Sequence, residues 1–225
     1  MAKESAAERL IAAGEQLYAE SGVGNVRLRE LNTLAEVRND SAVHYHFGSQ
    51  DGLLTEILRR HLDDVSARVD EYTDALCAGR DGSPDAIRDA IAALAIPFAE
   101  KLADERGRRF IRIAAQVWGR TATWRQSSFV PSSALAMDLI RRSVRDLSPA
   151  LREERMRLIP GFVLAAFAVR AQRIDHPGCA EDALPLPLHA FVYNVIEMAT
   201  AAYLAQAPEG DYWPEGWPTI RDRRR

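Results

Sequence analysis

The side chains best suited to recognition chemistry fall in one stretch: Arg38-Asn39-Asp40-Ser41, then His44-Tyr45-His46, then Gln50. Asparagine and serine hydrogen-bond to base edges, whereas arginine, histidine and tyrosine hold phosphate oxygens. Arg27 and Arg29 stand shortly upstream and add cations. This is the chemistry of a nucleic-acid reader, in which no covalent bond is made or broken. His44 and His46 are two apart, so a helix points them to different sides and they do not form a metal pair.

Motifs for bond-making are missing. The sequence holds no G-x-S-x-G, no H-E-x-x-H, no P-loop and no complete G-x-G-x-x-G, since Gly22-Val23-Gly24 lacks the third glycine and a preceding strand. Cys77 and Cys179 are too few for a disulfide framework or a tetrahedral metal site. The expectation is a protein that is not an enzyme and needs no cofactor or metal.

The elements that must hold these side chains read as helices almost throughout. A first helix is predicted from about Ala6 to Ser21. Ser5 and Glu8 have the capping-box spacing, Leu10, Gly14, Leu17 and Ser21 form a stripe with Ile11 and Tyr18 beside it, and Gly22 sits at the C-cap. Short helices are predicted over about Leu28 to Ala35 and Asp40 to Phe47, the latter with Asn39 as N-cap. After the break at Phe47-Gly48-Ser49, Ser49 caps a long fourth helix reaching about Leu76, with Asp51 in its positive first turn.

Gly79 to Pro84 reads as a loop, and Ser83-Pro84 as the start of a fifth helix reaching about Leu102. Further helices are predicted over about Gly107 to Arg120, Ser132 to Leu147, Pro149 to Ile174 and Leu188 to Ala205. Pro97 and Pro160 lie inside two of them and are expected to kink them. No period-2 segment stands out, so the fold class is all-α.

Residues 27 to 47 are thus two short helices packed behind a longer first one, a helix-turn-helix layout. The second helix of such a unit enters the major groove. Its available face is Asn39, Asp40, Ser41, His44 and Tyr45, with Arg38 just before it; Ala42, Val43 and Phe47 form the buried side. The stretch Leu31 to Leu54, LNTLAEVRNDSAVHYHFGSQDGLL, resembles the N-terminal domain of TetR-type transcriptional repressors. That family has a pattern of the form I-A-x-x-A-G-V-S-x-x-x-L-Y-x-H-F-x-S-K-x-x-L. Leu31, Ala35, Val37, Val43, Tyr45, His46, Phe47, Gly48, Ser49, Leu53 and Leu54 match it in type, and Ala13, Leu17, Tyr18 and Gly22 match the family's first helix. The motif covers about residues 5 to 60. Glu36 stands where the family has its turn glycine, Asn32 where it has a small residue, and Gln50 where it has a phosphate-binding lysine. The connection from Val37 to Ala42 is also one residue longer than usual. These departures bear on the turn geometry and on one phosphate contact.

The resemblance implies a DNA-binding domain over residues 1–50, an effector-binding and dimerisation domain over 51–207, and a C-terminal tail over 208–225. It implies that Arg27, Arg29, Arg38, Asn39, Asp40, Ser41, His44, Tyr45, His46 and Gln50 meet double-stranded operator DNA. It implies a pocket enclosed by helices four to eight, for which Phe98, Phe110, Gln116, Trp118, Met137 and Phe162 are the candidates, taking a small hydrophobic or aromatic effector. The last two helices are apolar on more than one face. In the family they form a four-helix interface with their symmetry mates, and the homodimer candidates are Val163, Phe167, Arg170, Val192, Ile196, Ala199 and Tyr203. The implied function is a homodimeric regulator, a repressor released from a near-palindromic operator by its effector. A helical small-molecule-binding or protein-interaction module that has lost DNA binding stays open beside it, because of Glu36, Gln50 and the acidic balance described next.

The chain has 225 residues, 47% apolar and 27% charged, enough for a large core and too apolar for wholesale disorder. No signal peptide is expected from its opening residues, and the longest apolar stretch, roughly Leu158 to Val169, is short of the ~20 residues a bilayer needs. A cytoplasmic setting without a membrane partner follows. Residues 1 to 60 hold seven basic and nine acidic residues, a net of −2 within a total of −3. DNA recognition would therefore rest on the placement of a few arginines, with a shallow dependence on salt.

Overall fold

Side-chain caps set three helix starts where the spacing predicts them. Ser5 Oγ accepts from the Glu8 N–H at 3.2 Å, Ser49 Oγ from Gly52 at 2.9 Å and Ser148 Oγ from Leu151 at 3.3 Å. The computed structural model describes residues 5–39, 41–79, 85–118, 133–176 and 184–207; Asp40, Ser83-Pro84 and the 208–225 tail lie outside them. The described residues form nine α-helices and no strand. They are α1 (Ala6–Ser21), α2 (Leu28–Leu34), α3 (Ala42–Phe47), α4 (Gln50–Cys77), α5 (Ala86–Glu100), α6 (Glu105–Val117), α7 (Ala134–Ser143), α8 (Pro149–Asp175) and α9 (Leu188–Leu204). A 3₁₀ turn, Lys101–Ala103, leads from α5 to α6. Pro97 and Pro160 sit inside α5 and α8 without ending either helix. Among the described residues no helix is long and apolar enough to cross a membrane.

The third helix starts later than expected, at Ala42 instead of Asp40. The reason is local. The Asn39 side-chain oxygen accepts from the Ser41 N–H at 3.0 Å, two residues on, so it builds a turn ahead of the helix and does not cap its first turn.

One apolar core runs through the molecule. Leu10, Ile11 and Tyr18 of α1 meet Leu53, Ile57 and Leu58 of α4, and Phe110, Ile111 and Phe167 continue it through α6 and α8. Burying one such Leu or Ile contributes about 1.5–3 kcal/mol, more than the ~0–1 kcal/mol of an exposed ion pair, so the core and not the many surface pairs holds the helices together. α4 packs along α5, α5 meets α7 and α9, and α6 lies between α1 and α8.

The α1–α6 contact is polar along its length. Arg106 pairs with the buried Glu15, the Arg112 guanidinium donates to the Ala19 carbonyl at 2.7 Å, and the Gln116 amide donates to the Tyr18 carbonyl at 3.1 Å. The Gln116 side-chain oxygen also accepts from the Val23 N–H at 2.8 Å. This seam and the continuous α4 fix how α1–α3 sit on the rest of the chain.

Candidate nucleic-acid interface

α2 begins where the Glu30 carboxylate accepts from the Arg27 N–H at 2.7 Å, leaving the Arg27 and Arg29 side chains exposed. α2 ends in a tight turn at Glu36, whose φ of 51° lies in the left-handed region. The Glu36 N–H donates to Thr33 O at 3.2 Å and the Val37 N–H to Asn32 O at 2.9 Å. That is the double hydrogen bond of a Schellman end. The turn that glycine usually supplies is therefore built with glutamate, so this departure leaves the geometry intact at a cost of about 1–3 kcal/mol in backbone strain.

The Arg9 Nε donates to the Ala35 carbonyl at 2.8 Å, placing a cation at the negative end of α2. This bond holds α2 against α1.

α3 buries Ala42 and Val43, half-buries Phe47, and exposes Ser41, His44, Tyr45 and His46. Tyr45 is 83% exposed, far more than a packing residue needs. Its ring edge rests on His46 at 4.9 Å between centroids. His44 Nδ1 lies 3.0 Å from the Gly48 carbonyl. Arg38 and Asn39 are exposed beside this helix, and Asp40 lies outside the described residues.

The side-chain amide of Gln50 donates to the Val26 carbonyl at 2.8 Å, and the Gln50 backbone carbonyl accepts from the Tyr18 hydroxyl at 3.4 Å. The side chain is turned to the α1–α2 connection. Burial pushes the Tyr18 phenol up to about 12, so it stays a donor. The close seating of α3 on α4 depends on Gly52: a Cβ there would stand 2.0 Å from the Phe47 carbonyl oxygen.

Part of the acid in the N-terminal region is engaged in pairs with cations of α4 and α6. Burial raises the Glu15 carboxyl, but hydrogen bonds from His61 and Arg106 outweigh it and hold the group below the usual range. Arg60 grips Glu8 with two hydrogen bonds of 2.7 Å and lowers it likewise. Glu56 is held down by Arg59 first and by Arg60. Three of the nine acids thus serve internal pairs, on the side of α1 that meets α4 and α6.

The effector candidates do not share one lining. Phe110 is fully buried, stacked on His61 at 4.6 Å and on Phe98 at 6.3 Å, and is filled core. Gln116 is spent on the α1–α6 seam. Trp118 donates its indole N–H to the Arg157 carbonyl at 3.3 Å and lies against Gly161 of α8. Met137 is half-buried on α7, and Phe162 is exposed on α8.

The dimer candidates lie mostly inside the single chain. Val163, Phe167, Arg170, Ile196, Ala199 and Tyr203 are all buried within the single chain, and Val192 is half-buried. α8 and α9 pack on each other and on α5 and α6, which consumes that side of each helix. Their large exposed apolar side chains are instead Leu158, Phe162 and Val169 on α8, and Leu188, Tyr193, Met198 and Leu204 on α9.

No protein-family model matches this chain, and no curated protein matches it either.

Proposed function

We propose that this chain is a ligand-responsive, DNA-binding transcriptional regulator that acts as a homodimer, with α2 and α3 as its helix-turn-helix. The observation that carries the reading is the short α3, seated on α1 and α4 by Val43 and Phe47, with Tyr45 and two histidines held out to solvent beside Arg38. Such a helix fits the major groove, where it reads base edges while flanking cations hold phosphates. Two copies related by a two-fold axis would present α3 to successive major grooves, ~34–36 Å apart. The exposed apolar sides of α8 and α9 are the surface this reading gives to the second copy. An effector that binds better to a conformer with the wrong α3 separation would release the DNA.

The test is a gel shift with the DNA flanking the chain's own gene, at several salt concentrations. A shifted band competed away by the same duplex, and not by unrelated DNA, is the expected result. A second reading, a helical interaction module without DNA binding, is favoured by one observation: Gln50 is turned to Val26 and not to solvent. Absence of any sequence-dependent shift would select it.

A further inference from the structure

His44 sits in a closed ring of hydrogen bonds at the end of α3. The Gly48 N–H donates to the His44 carbonyl at 2.9 Å, and Gly48, at φ 73°, turns its own carbonyl back to within 3.0 Å of His44 Nδ1. A carbonyl oxygen only accepts. The hydrogen bond therefore requires the proton on Nδ1, and a neutral imidazole has no second one. Nε2 across the ring is then a bare lone pair on an exposed side chain.

From this we infer that His44 is a base-reading residue whose hydrogen-bond direction is set by one proton, an inference that rests on the DNA-reading function proposed above. Neutral, with Nδ1 committed to Gly48, it accepts at Nε2. It then selects an exocyclic amino group in the major groove, adenine N6 or cytosine N4, and repels phosphate oxygens and guanine O6. Protonated, it donates at Nε2 and selects the opposite set: guanine O6 or N7, thymine O4, or a phosphate. An untethered histidine would evade this choice by moving its proton between nitrogens; the Gly48 carbonyl favours the proton on Nδ1.

The surrounding charges do not change over the relevant range. On the elements packed against α3 they include Asp51 in the first turn of α4, Arg9 and Tyr18 on α1 and Glu30 on α2, with Glu36 and Arg38 in the α2–α3 connection. Carboxylates, guanidinium groups and phenols keep one charge state from about pH 6 to pH 8, whereas imidazole changes within it. His46, on the same helix, is the other imidazole and needs its own control.

The experiment selects duplexes from a random-sequence DNA pool with the full chain at about pH 6 and about pH 8. It uses the wild type, His44→Gln and His46→Gln. The wild type and His46→Gln are expected to change the preferred base pair at one position of each half-site, by about tenfold between the two pH values. His44→Gln is expected to prefer the same base at both. A wild-type preference that ignores pH, or a change that survives in His44→Gln, overturns the inference and leaves DNA reading standing. No enriched sequence at either pH overturns both. Nitrogen-15 NMR of the histidine side chains in the free protein provides a check without variants: His44 is expected as the Nδ1–H tautomer at about pH 8, and the Nε2–H tautomer would overturn the assignment.

Discussion

The Arg106 guanidinium on α6 grips the Glu15 carboxylate on α1, Nε to Oε2 and Nη2 to Oε1, both at 2.9 Å. The two differ sharply in setting: the Glu15 side chain is 4% exposed and that of Arg106 55%. The acid cannot leave, whereas the base can turn to water. His61 of α4 closes the third side at 3.3 Å, with its ring stacked on Phe110. Three helices thus meet on one carboxylate, and its charge state becomes a condition for their alignment.

Glu15→Gln is expected to lower stability by about 1–3 kcal/mol at neutral pH, the cost of a hydrogen-bonded charge lost from a buried site. Its pH dependence has a definite sign. The folded carboxyl lies below its ordinary value of 4.5, so its contribution is full above that value and fades as pH falls through the lower folded one. Urea unfolding across the acid range checks this. A variant that keeps the wild-type acid slope would show that Glu15 does not supply it.

Tyr45→Ala removes a side chain that packs on little besides His46. The melting temperature is expected to stay within ~2 °C, because exposed substitutions change stability by less than ~0.5 kcal/mol. Affinity for a selected duplex is expected to fall about tenfold, as for loss of one good contact. Equal affinity in a gel shift would remove Tyr45 from the interface.

Glu36→Gly releases a non-glycine residue from positive φ. The strain relieved, about 1–3 kcal/mol, exceeds the roughly 0.4–1 kcal/mol that glycine adds to the unfolded chain's entropy. A rise in melting temperature of about 2–4 °C is expected, measured by calorimetry. A drop would mean that the Glu36 side chain makes up for its backbone.

Two substitutions on one helix separate core from surface. Phe167→Glu, at a fully buried site, is expected to unfold the chain, while Phe162→Glu, at a site 37% exposed, is expected to leave the fold intact and weaken self-association. Circular dichroism reads the first and sedimentation velocity the second. A Phe162→Glu protein that sediments as a clean dimer would move the interface elsewhere.

What could be read in advance followed the range of the signal. Ser5, Ser49 and Ser148 act three residues along the chain, and the spacing alone located them. Asn39 fell short because a side-chain bond to the second N–H and one to the third look alike in sequence and differ by two residues of helix. The hydrogen bonds of Gln50 and Gln116 are not legible in the sequence, because their partners are Val26 and Val23, 24 and 93 residues away. No local pattern reports such a partner. On α8 and α9 the apolar character of several faces was legible, but which face the chain itself covers depends on where α5 and α6 lie. The residues first chosen for a second copy are therefore those the chain keeps for itself.

The polar seam along α6 also limits how far α1–α3 can be treated as a transferable cassette. Cut after α3, the segment would carry away the Glu15 carboxylate without Arg106 and His61, and the Tyr18 and Ala19 carbonyls without Gln116 and Arg112. Grafted onto a foreign body, it would need a helix offering those same donors at those same heights. Chimeras built on this chain should therefore exchange α6 together with the N-terminal helices.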